Sequence, residues 1–341
     1  MHFRHKPLIE QFDILQDGKM RPYYRYQVPQ NNYQAGRFGH RSHTVLSKDN
    51  FIISDTQISG EFSVEKQEQK NGRFESRFQI LASGVKSSNR GVNDFSNLAR
   101  LFMLPTKDVR LLLNKNGRID RVLNKEAVFS LWEEVYHFLA SELTNEALLK
   151  SIKQKGDNEF GRVDESIRRI ELYTLFFMPV FNIKYTPGKK YNCPLVLASQ
   201  LLPKEVVELD LHEKDIRAEQ DHLHFTFEGE TSDTGLLKKA KGIYGKLLDE
   251  KAEHCLKLEL SYHLNATTGY PVSIDLFSKE TLGNFLCSEQ ITEIYIIEEP
   301  VLPTYKPAPA SSPDSDPKTN VPEEPKTKNF HSWILDDDSF V

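Results

Sequence analysis

The feature that most constrains the fold is the contrast between the C-terminal segment, residues 299–341, and the rest of the chain. The segment holds eight of the 17 prolines and almost no apolar residues between Tyr305 and Phe330. It cannot bury enough apolar surface to offset the entropy lost on ordering. The sequence therefore predicts a globular body over residues 1–298, a Pro-rich disordered linker over residues 299–329, and a terminal peptide over residues 330–341.

The predicted body is near the upper size for a single hydrophobic core. The 38% apolar content, with 21 Phe and 13 Tyr, is sufficient for such a core. A strand, an Asn- and Gly-containing turn and a return strand occur near residues 109–123 and again near residues 257–277. This repetition is consistent with two similar halves, about 1–160 and 161–298, and equally with the general likeness of all hairpins.

Alternating apolar residues on either side of turn sequences predict β-hairpins. Phe62 and Val64 precede the turn Gln69-Lys70-Asn71-Gly72, and Asn116-Gly117 separates two further apolar runs. Asn-Gly readily adopts the positive φ angles of a tight hairpin. His222 to Phe227 also alternates, and three strands are predicted at 255–262, 270–277 and 291–297. The body is therefore predicted to be rich in antiparallel sheet.

The middle of the chain is predicted to be helical. After Asn124, a candidate N-cap, apolar residues recur at helical spacing as far as Leu143. The pattern continues, with a break near Thr144, to about Lys155, and a further amphipathic segment starts near Asp164 and ends before Pro179. The predicted fold class is α+β, a curved, half-barrel-like antiparallel sheet with helices packed on it and a disordered C-terminal tail.

Three stretches of the body form a recognisable succession. They are Tyr173 to Gly188 with Phe176-Phe177-Met178-Pro179-Val180, His222 to Gly229, and Thr267-Thr268-Gly269-Tyr270-Pro271-Val272. This succession resembles an uncharacterised domain family of Bacteroidota proteins, whose members look like half-barrels of the lipoprotein-carrier type. The resemblance covers about residues 50–298 and implies a curved antiparallel sheet with helices in its concave side, and binding rather than chemistry. The lipidation signal typical of that family is absent from this sequence.

The terminal peptide is predicted to be a docking peptide. Aromatic and aliphatic anchors together with acidic residues are typical of a segment that a partner pocket captures. The partner is another protein or the chain's own body, because a tethered peptide has a high effective concentration near its own domain. The predicted partner-binding residues are Phe330, Trp333, Ile334, Leu335, Asp336, Asp337, Asp338, Phe340 and Val341.

A basic and aromatic segment without acids, residues 21–48, is a candidate acceptor surface for carboxylates or bases. An edge hairpin with aromatic residues in the core and solvated arginines would show the same pattern. The body carries 41 acidic and 40 basic residues, so its charge argues against a nucleic-acid-coating role. The candidate acceptor residues are Arg21, Tyr23, Arg25, Arg37, Phe38 and Arg41.

The body contains two further candidate sites. His222 and His224 lie two apart on a predicted strand, so both rings would project from one face, but no third metal ligand can be assigned. The apolar face of the central helix is a candidate cavity wall for a lipid-like ligand, although such a face is more often plain core. The residues of this candidate cavity are Leu131, Trp132, Val135 and Phe138.

These features favour a non-catalytic adaptor or assembly component that recruits a protein through its terminal peptide. The alternative is a carrier or sensor that binds an apolar ligand between the sheet and the central helices, and a metal-dependent enzyme ranks third. No cofactor is predicted, because no phosphate-binding loop, dinucleotide fingerprint or nucleophile elbow occurs. With no apolar signal segment and three widely separated cysteines, the chain is expected to be cytoplasmic.

Overall fold

A computed structural model shows two antiparallel sheets, with helices packed on the larger one. It describes residues 8–14, 20–26, 35–69, 73–89, 100–114, 116–178, 184–185, 193–202, 205–219, 221–231, 233–249, 251–266 and 268–301. The predicted docking peptide lies outside these residues. Residues 299–301, predicted to begin the linker, instead complete the last strand, where Val301 pairs with Ala35.

Within the described residues, the larger sheet contains 11 strands in the order β7-β6-β5-β4-β3-β14-β13-β12-β11-β10-β9, and the smaller one has the order β1-β2-β8. The large sheet consists of two meanders that meet where β14 pairs with β3. The strands are β1 Leu8–Ile14, β2 Met20–Tyr26, β3 Ala35–Lys48, β4 Phe51–Glu68, β5 Phe74–Ser87, β6 Asp108–Leu113, β7 Ile119–Val122, β8 Lys184–Tyr185, β9 Cys193–Ala198, β10 Val206–Glu219, β11 His222–Thr231, β12 His254–Asn265, β13 Pro271–Leu282 and β14 Leu286–Val301.

The helices follow one another between the two meanders, with one more inside the second meander. They are α1 Lys125–Glu142, α2 Glu146–Gly161, α3 Val163–Ile167, α4 Glu171–Phe176 and α5 Thr234–Tyr244, with 3-10 turns at Leu104–Thr106 and Gly245–Leu247. The predicted α+β class, a curved antiparallel sheet with packed helices, is confirmed. No helix in the described ranges is both long and apolar enough to cross a membrane.

The strands alternate between a buried and a more exposed face, as their sequences predict. In β12 the side chains of Leu256, Leu258 and Leu260 are buried while Lys257 and Glu259 are exposed. Because side chains of a strand point alternately to its two faces, one face of the sheet collects the apolar residues and receives the helices. This helix-bearing face is called the inner face below.

Helices α1 and α2 pack tightly because of a single glycine. A Cβ added at Gly156 would lie 1.9 Å from the Trp132 ring, so only glycine permits this approach of the two helices. Trp132 also stacks on Phe160 and donates a hydrogen bond from Nε1 to Asp157 at 2.9 Å. The indole thereby joins the two helices through both packing and a hydrogen bond.

The start of α1 shows a difference between the predicted and observed role of one residue. Asn124 occupies the N-cap position but its side chain does not cap the helix. Its Oδ1 accepts a hydrogen bond from the backbone N–H of Arg110, and its Nδ2 donates to the carbonyl of Asp108. The amide therefore ties the helix start to strand β6, a tertiary role that competes with local capping.

Candidate functional site

One part of the inner face is packed by aromatic rings. Phe38, Phe62 and Phe78 lie side by side on β3, β4 and β5, with ring centroids 5.4 and 4.7 Å apart, and Phe176 of α4 packs across them. All three rings on the strands are fully buried. This part of the inner face is called the aromatic half. Because its rings are closely packed, its role is structural.

Further along the same strands the inner face changes from aromatic to hydroxyl-bearing side chains. Three successive cross-strand rows run Thr292–Ser42–Ile58–Val85, Ser278–Gln290–Thr44–Thr56–Ser87 and Ser288–Leu46–Ser54. This surface is called the hydroxyl-lined half. Small polar side chains in the middle of a wide sheet do not contribute a hydrophobic core, so their clustering requires another explanation.

A half-buried carboxyl group lies over the hydroxyl-lined half. Glu171, the first residue of α4, has its Oε1 2.8 Å from the Thr292 hydroxyl, and both carboxyl oxygens lie 3.0 Å from Gln290 Nε2. Burial raises the pKa of Glu171, while the hydrogen bonds from Thr292 and Gln290 oppose that rise. Among the described residues no cation forms an ion pair with this carboxylate, so its charge is compensated by neutral donors alone.

The cluster around Glu171 has more acceptors than donors. Gln290 Nε2 lies within hydrogen-bonding distance of four oxygens, on Ser42, Thr292 and both positions of Glu171, although an amide carries only two hydrogens. The hydroxyl of Ser288, two residues before Gln290, is buried and has no hydrogen-bond partner in the described structure. A ligand that donates a hydrogen bond here would fill acceptor lone pairs that the two amide hydrogens of Gln290 cannot all fill.

The rest of the hydroxyl-lined half is partly open. Leu46 and Val85 are half-buried and Ile58 is 39% exposed, on the same face as the Glu171 cluster. Ser54, Thr56 and Ser87 form a short chain of hydroxyl contacts at 3.1 and 2.8 Å. The described residues thus form a partly exposed strip of the inner face, with the Glu171 cluster on one side and apolar side chains beside it; this strip is called the trough below.

A histidine marks the boundary between the two halves. His40 lies on the inner face of β3 between Phe38 and Ser42, and pairs across the sheet with Ile294 and Gly60. Burial lowers the pKa of His40 to about 4. The imidazole is therefore neutral near pH 7 and is the first polar side chain beyond the aromatic half.

A second buried polar cluster near the trough holds a loop. Glu280 accepts hydrogen bonds from the Ser199 hydroxyl at 2.5 Å and from the backbone N–H of Gln200 at 2.6 Å, and its Oε1 lies 2.9 Å from His254 Nε2. Both oxygens of this carboxylate are engaged. The cluster attaches the loop after β9 to strands β12 and β13 and offers no free carboxyl oxygen to a ligand.

The histidines predicted as a metal pair lie on the outer face. His224 packs edge-on against His263 with ring centroids 4.2 Å apart, and His222 is exposed nearby. Burial and the neighbouring His224 and His222 lower the pKa of His263, with Asp275 acting in the opposite direction. Across the described ranges, no three or more His, Cys, Asp or Glu side chains are arranged to hold a metal ion.

The structure separates the members of the candidate acceptor surface. Phe38 is fully buried in the aromatic half, so it cannot form part of a surface. Arg37 pairs with Glu61 at 2.5 Å and Glu298 at 2.8 Å, and Arg41 lies 5.0 Å over the Tyr295 ring. The backbones of Arg21, Tyr23 and Arg25 lie in β2, and their side chains are outside the described part of the structure.

The candidate cavity residues lie on α1, away from the trough. Trp132 and Val135 are fully buried, whereas Leu131 and Phe138 are half-buried. An open groove of about 580 Å³ runs between α1 and α2 nearby, lined by Tyr136, Glu146, Leu149, Lys150, Lys153, Gln154 and Asp157. Within this lining, Lys153 pairs with Asp157 at 2.9 Å and lies over the Tyr136 ring.

Sequence reasoning did not identify the residues of the trough. Glu171 lies 119 positions from Gln290, and Gln290 lies 248 positions from Ser42. The available signal was the run Ser288, Gln290 and Thr292, which places polar residues at three successive inward positions of a strand in the sheet. A strand in the centre of a sheet normally has at least one apolar face. Polar residues on both faces of such a strand therefore indicate that one polar face has a function.

No protein-family model and no curated protein matches this chain. Among solved structures, a structure of lipid–protein interactions in lipovitellin is similar over 82% of this chain, with 7% identity and a TM-score of 0.40. The matched region covers only 26% of that lipovitellin chain. A likeness this distant carries no argument about function, so any functional conclusion must come from the chemistry of the trough.

Proposed function

We propose that this protein is a non-catalytic binding protein for an amphipathic ligand, held in the trough of the hydroxyl-lined half. The ligand's polar end carries a hydrogen-bond donor, such as a hydroxyl or an amine, and contacts Glu171, Gln290 and Ser288. Its apolar part lies along Leu46, Ile58 and Val85. The observation that carries this proposal is a half-buried carboxyl group with no cation partner among the described residues, close to a buried Ser288 hydroxyl that has no partner there either, and to half-exposed apolar side chains.

The polarity of the cluster favours a donor over an acceptor. Two carboxyl oxygens and two hydroxyl oxygens converge on one amide nitrogen, so the site has unused lone pairs. A ligand hydroxyl or ammonium would supply the missing hydrogens, whereas a carboxylate would place like charges close together in a poorly solvated site. The preferred ligand is therefore neutral or positively charged at its polar end.

The length of the trough favours an extended ligand. From the row of Ser42 to the end of β3 at Lys48 is six residues, or about 20 Å along a strand. Hydroxyl groups along this path can accept hydrogen bonds from the ligand or donate hydrogen bonds to it. Burial of the ligand's apolar chain against the apolar side chains contributes roughly 25 cal/mol per Å² of buried surface. A ligand with a polar end and a chain of this length would use both ends of the trough.

The Ser42 hydroxyl supports binding over nucleophilic chemistry. Its oxygen accepts a hydrogen bond from Gln290 Nε2 at 3.0 Å and lies 2.9 Å from the Thr292 hydroxyl, whose single proton goes to Glu171, so neither neighbour is a base for the Ser42 proton. A nucleophilic serine instead donates its proton to an adjacent base. The adaptor function predicted for residues 330–341 depends on a segment outside the described residues, and it stays a prediction.

The proposal is tested with two fluorescent probes that share a dansyl-labelled undecyl chain and end in either a hydroxyl or a carboxylate. The full chain should bind the hydroxyl probe about tenfold more tightly, a difference of about 1.4 kcal/mol in binding free energy. In the Glu171→Gln variant this preference should shrink, because the negative charge is gone while the side chain keeps its size. Equal affinity for both probes in the wild-type protein would refute the assignment of the polar end.

A matched pair of apolar variants tests where the chain lies. Ile58→Ser should weaken the hydroxyl probe about tenfold by removing apolar surface from the trough floor. Ile291→Ser changes a similarly exposed isoleucine on the outer face of β14 and should leave probe affinity within about twofold. If both variants behave alike, the trough is not the binding site.

A further inference from the structure

The apex of the β3–β4 hairpin exposes three consecutive large apolar residues. Phe51 is 76% exposed, Ile52 66% and Ile53 45%. Isolated exposed apolar residues are ordinary on a protein surface, but an uninterrupted run on one protruding element marks a contact surface. These three residues are called the hairpin tip below.

The hairpin tip has a hydrogen-bonded turn and protrudes past the described part of the neighbouring strand. Asp49 and Asn50 form the two-residue turn with φ angles of 49° and 66°, and the Asp49 backbone N–H donates to the carbonyl of Phe285 at 3.0 Å. The ladder between β4 and β5 ends at Thr56 and Ser87, so residues 51–53 extend past the neighbouring strand. The tip is therefore held in place before any partner arrives, which reduces the entropy lost on docking.

The tip has apolar side chains on both faces of the sheet. Phe51 pairs with Lys48 on the inner side and Ile52 pairs with Ser47 on the outer side, because the register shifts between Leu46 and Ser47. A flat partner surface could contact only one side of such an edge. A medium that surrounds the tip would bury both sides.

The size of the tip is too small for a stable protein interface. Three large apolar side chains at these exposures offer roughly 350 Å², taking about 150–250 Å² for each when free. A specific protein interface buries about 800 Å² on each partner. Insertion of a few side chains into a lipid surface needs no such complementary area.

The charges beside the tip indicate which lipid surface it suits. Lys48, Asp49, Asp55 and Lys86 lie on the turn and the adjoining strand ends, and their formal charges cancel. An anionic membrane would select an excess of lysine and arginine around an inserted tip. Insertion into a zwitterionic lipid surface requires only exposed apolar side chains, with no excess of basic residues around them.

From these observations we infer that the hairpin tip docks the protein on a zwitterionic lipid surface. The hydroxyl-lined half of the inner face runs towards the same end of β3 and β4, so docking brings that end of the sheet to the lipid. The inference concerns a surface separate from the ligand cluster at Glu171. It does not depend on what that cluster binds.

Vesicle flotation of the full chain tests the inference. Wild-type protein should float with phosphatidylcholine vesicles, and adding one-fifth phosphatidylserine should change the bound fraction less than about twofold. The Phe51→Ser/Ile52→Ser variant should lose at least about tenfold in affinity, since the inserted apolar area is removed. The Phe277→Ser/Ile291→Ser variant, which removes two half-exposed apolar residues from the outer face, should float like the wild type.

Several outcomes would overturn the inference. They are failure of the wild type to float, normal flotation of the tip variant, and a strict requirement for anionic lipid. A wild-type dimer that the tip variant converts to a monomer in light scattering would show that a second copy covers the tip. The single change Ile52→Lys provides an independent variant, and a protein that floats but binds neither fluorescent probe would refute only the ligand site.

Discussion

The aromatic half and the hydroxyl-lined half lie on the same face of the same strands, yet they are built from opposite chemistry. In β4 the inward positions change from Phe62 to Ile58 and then to Thr56 and Ser54 within eight residues. The first part is sealed by rings from α4, and at the second the carboxyl at the start of that helix contacts the sheet. One strand therefore serves as core over part of its length and as a candidate binding surface over the rest.

The difference shows how a wide sheet can supply a site without a loop. Loops commonly carry functional residues because a rigid scaffold positions them. Here the scaffold itself carries the polar groups, and Ser42, Gln290 and Thr292 are fixed by strand pairing on both sides. Such a site is pre-organised, so its variants should affect stability and binding separately.

The largest expected effect is loss of a ring from the aromatic half. Phe62→Ala should destabilise the body by about 3–5 kcal/mol, because it removes a fully buried ring that contacts three others. Thr56→Ala, six residues earlier on the same face of β4, should cost less than about 1 kcal/mol. Urea unfolding of both variants measures the contrast, and similar losses at the two positions would show that the halves are not distinct.

Acidification should act at the boundary between the halves. The pKa of His40 is lowered to about 4 in the folded protein, against about 6.5 in an unfolded chain. Between these values the unfolded chain binds a proton that the folded chain does not, so stability falls as the pH drops from about 6.5 to 4. The loss from this group should be on the order of 2–3 kcal/mol.

The acid effect is assigned by comparing two histidine variants. Unfolding free energies measured from pH 7 to pH 4 should depend less on pH in His40→Gln than in the wild type. His137→Gln, which changes an exposed histidine on α1, should keep the wild-type slope. An unchanged slope in His40→Gln would contradict a buried neutral imidazole at this boundary.

The smallest effect on stability should come from the cluster itself. Thr292→Val keeps the shape of the side chain but removes the hydroxyl that donates to Glu171, which should cost about 1–2 kcal/mol. The same variant should weaken the hydroxyl-ended probe, because the orientation of the Glu171 carboxyl is lost. Thr281→Val, on the outer face of β13, serves as the control. Equal probe affinity in both variants would show that the Glu171 cluster does not take part in binding.

Local patterns predicted much of the fold. The turn at Asn116-Gly117 was predicted from two residues, and Gly117 has a φ of 83°. The predicted break near Thr144 was also confirmed, since α1 ends at Glu142 and α2 begins at Glu146. These features depend on residues within a few positions of one another, so they are readable from the sequence.

Strand ends and side-chain partners were less predictable. The predicted strand 291–297 extends from Leu286 to Val301, because pairing with β3 and β13 continues past the apolar core. Trp132 was proposed to line a cavity, but the glycine at position 156 lets the neighbouring helix approach the indole. Both outcomes depend on neighbours that are distant in sequence.

The sequence by itself determined the antiparallel character of the sheet, the helical middle and the composition of the C-terminal segment, because periodicity and turn chemistry are local. Only the tertiary structure decided that the carboxyl of Glu171 meets the amide of Gln290 on the inner face. Burial, a raised pKa and an unpartnered hydroxyl at Ser288 are properties of that encounter. They arise because strand pairing brings together residues whose separation along the chain leaves no local pattern.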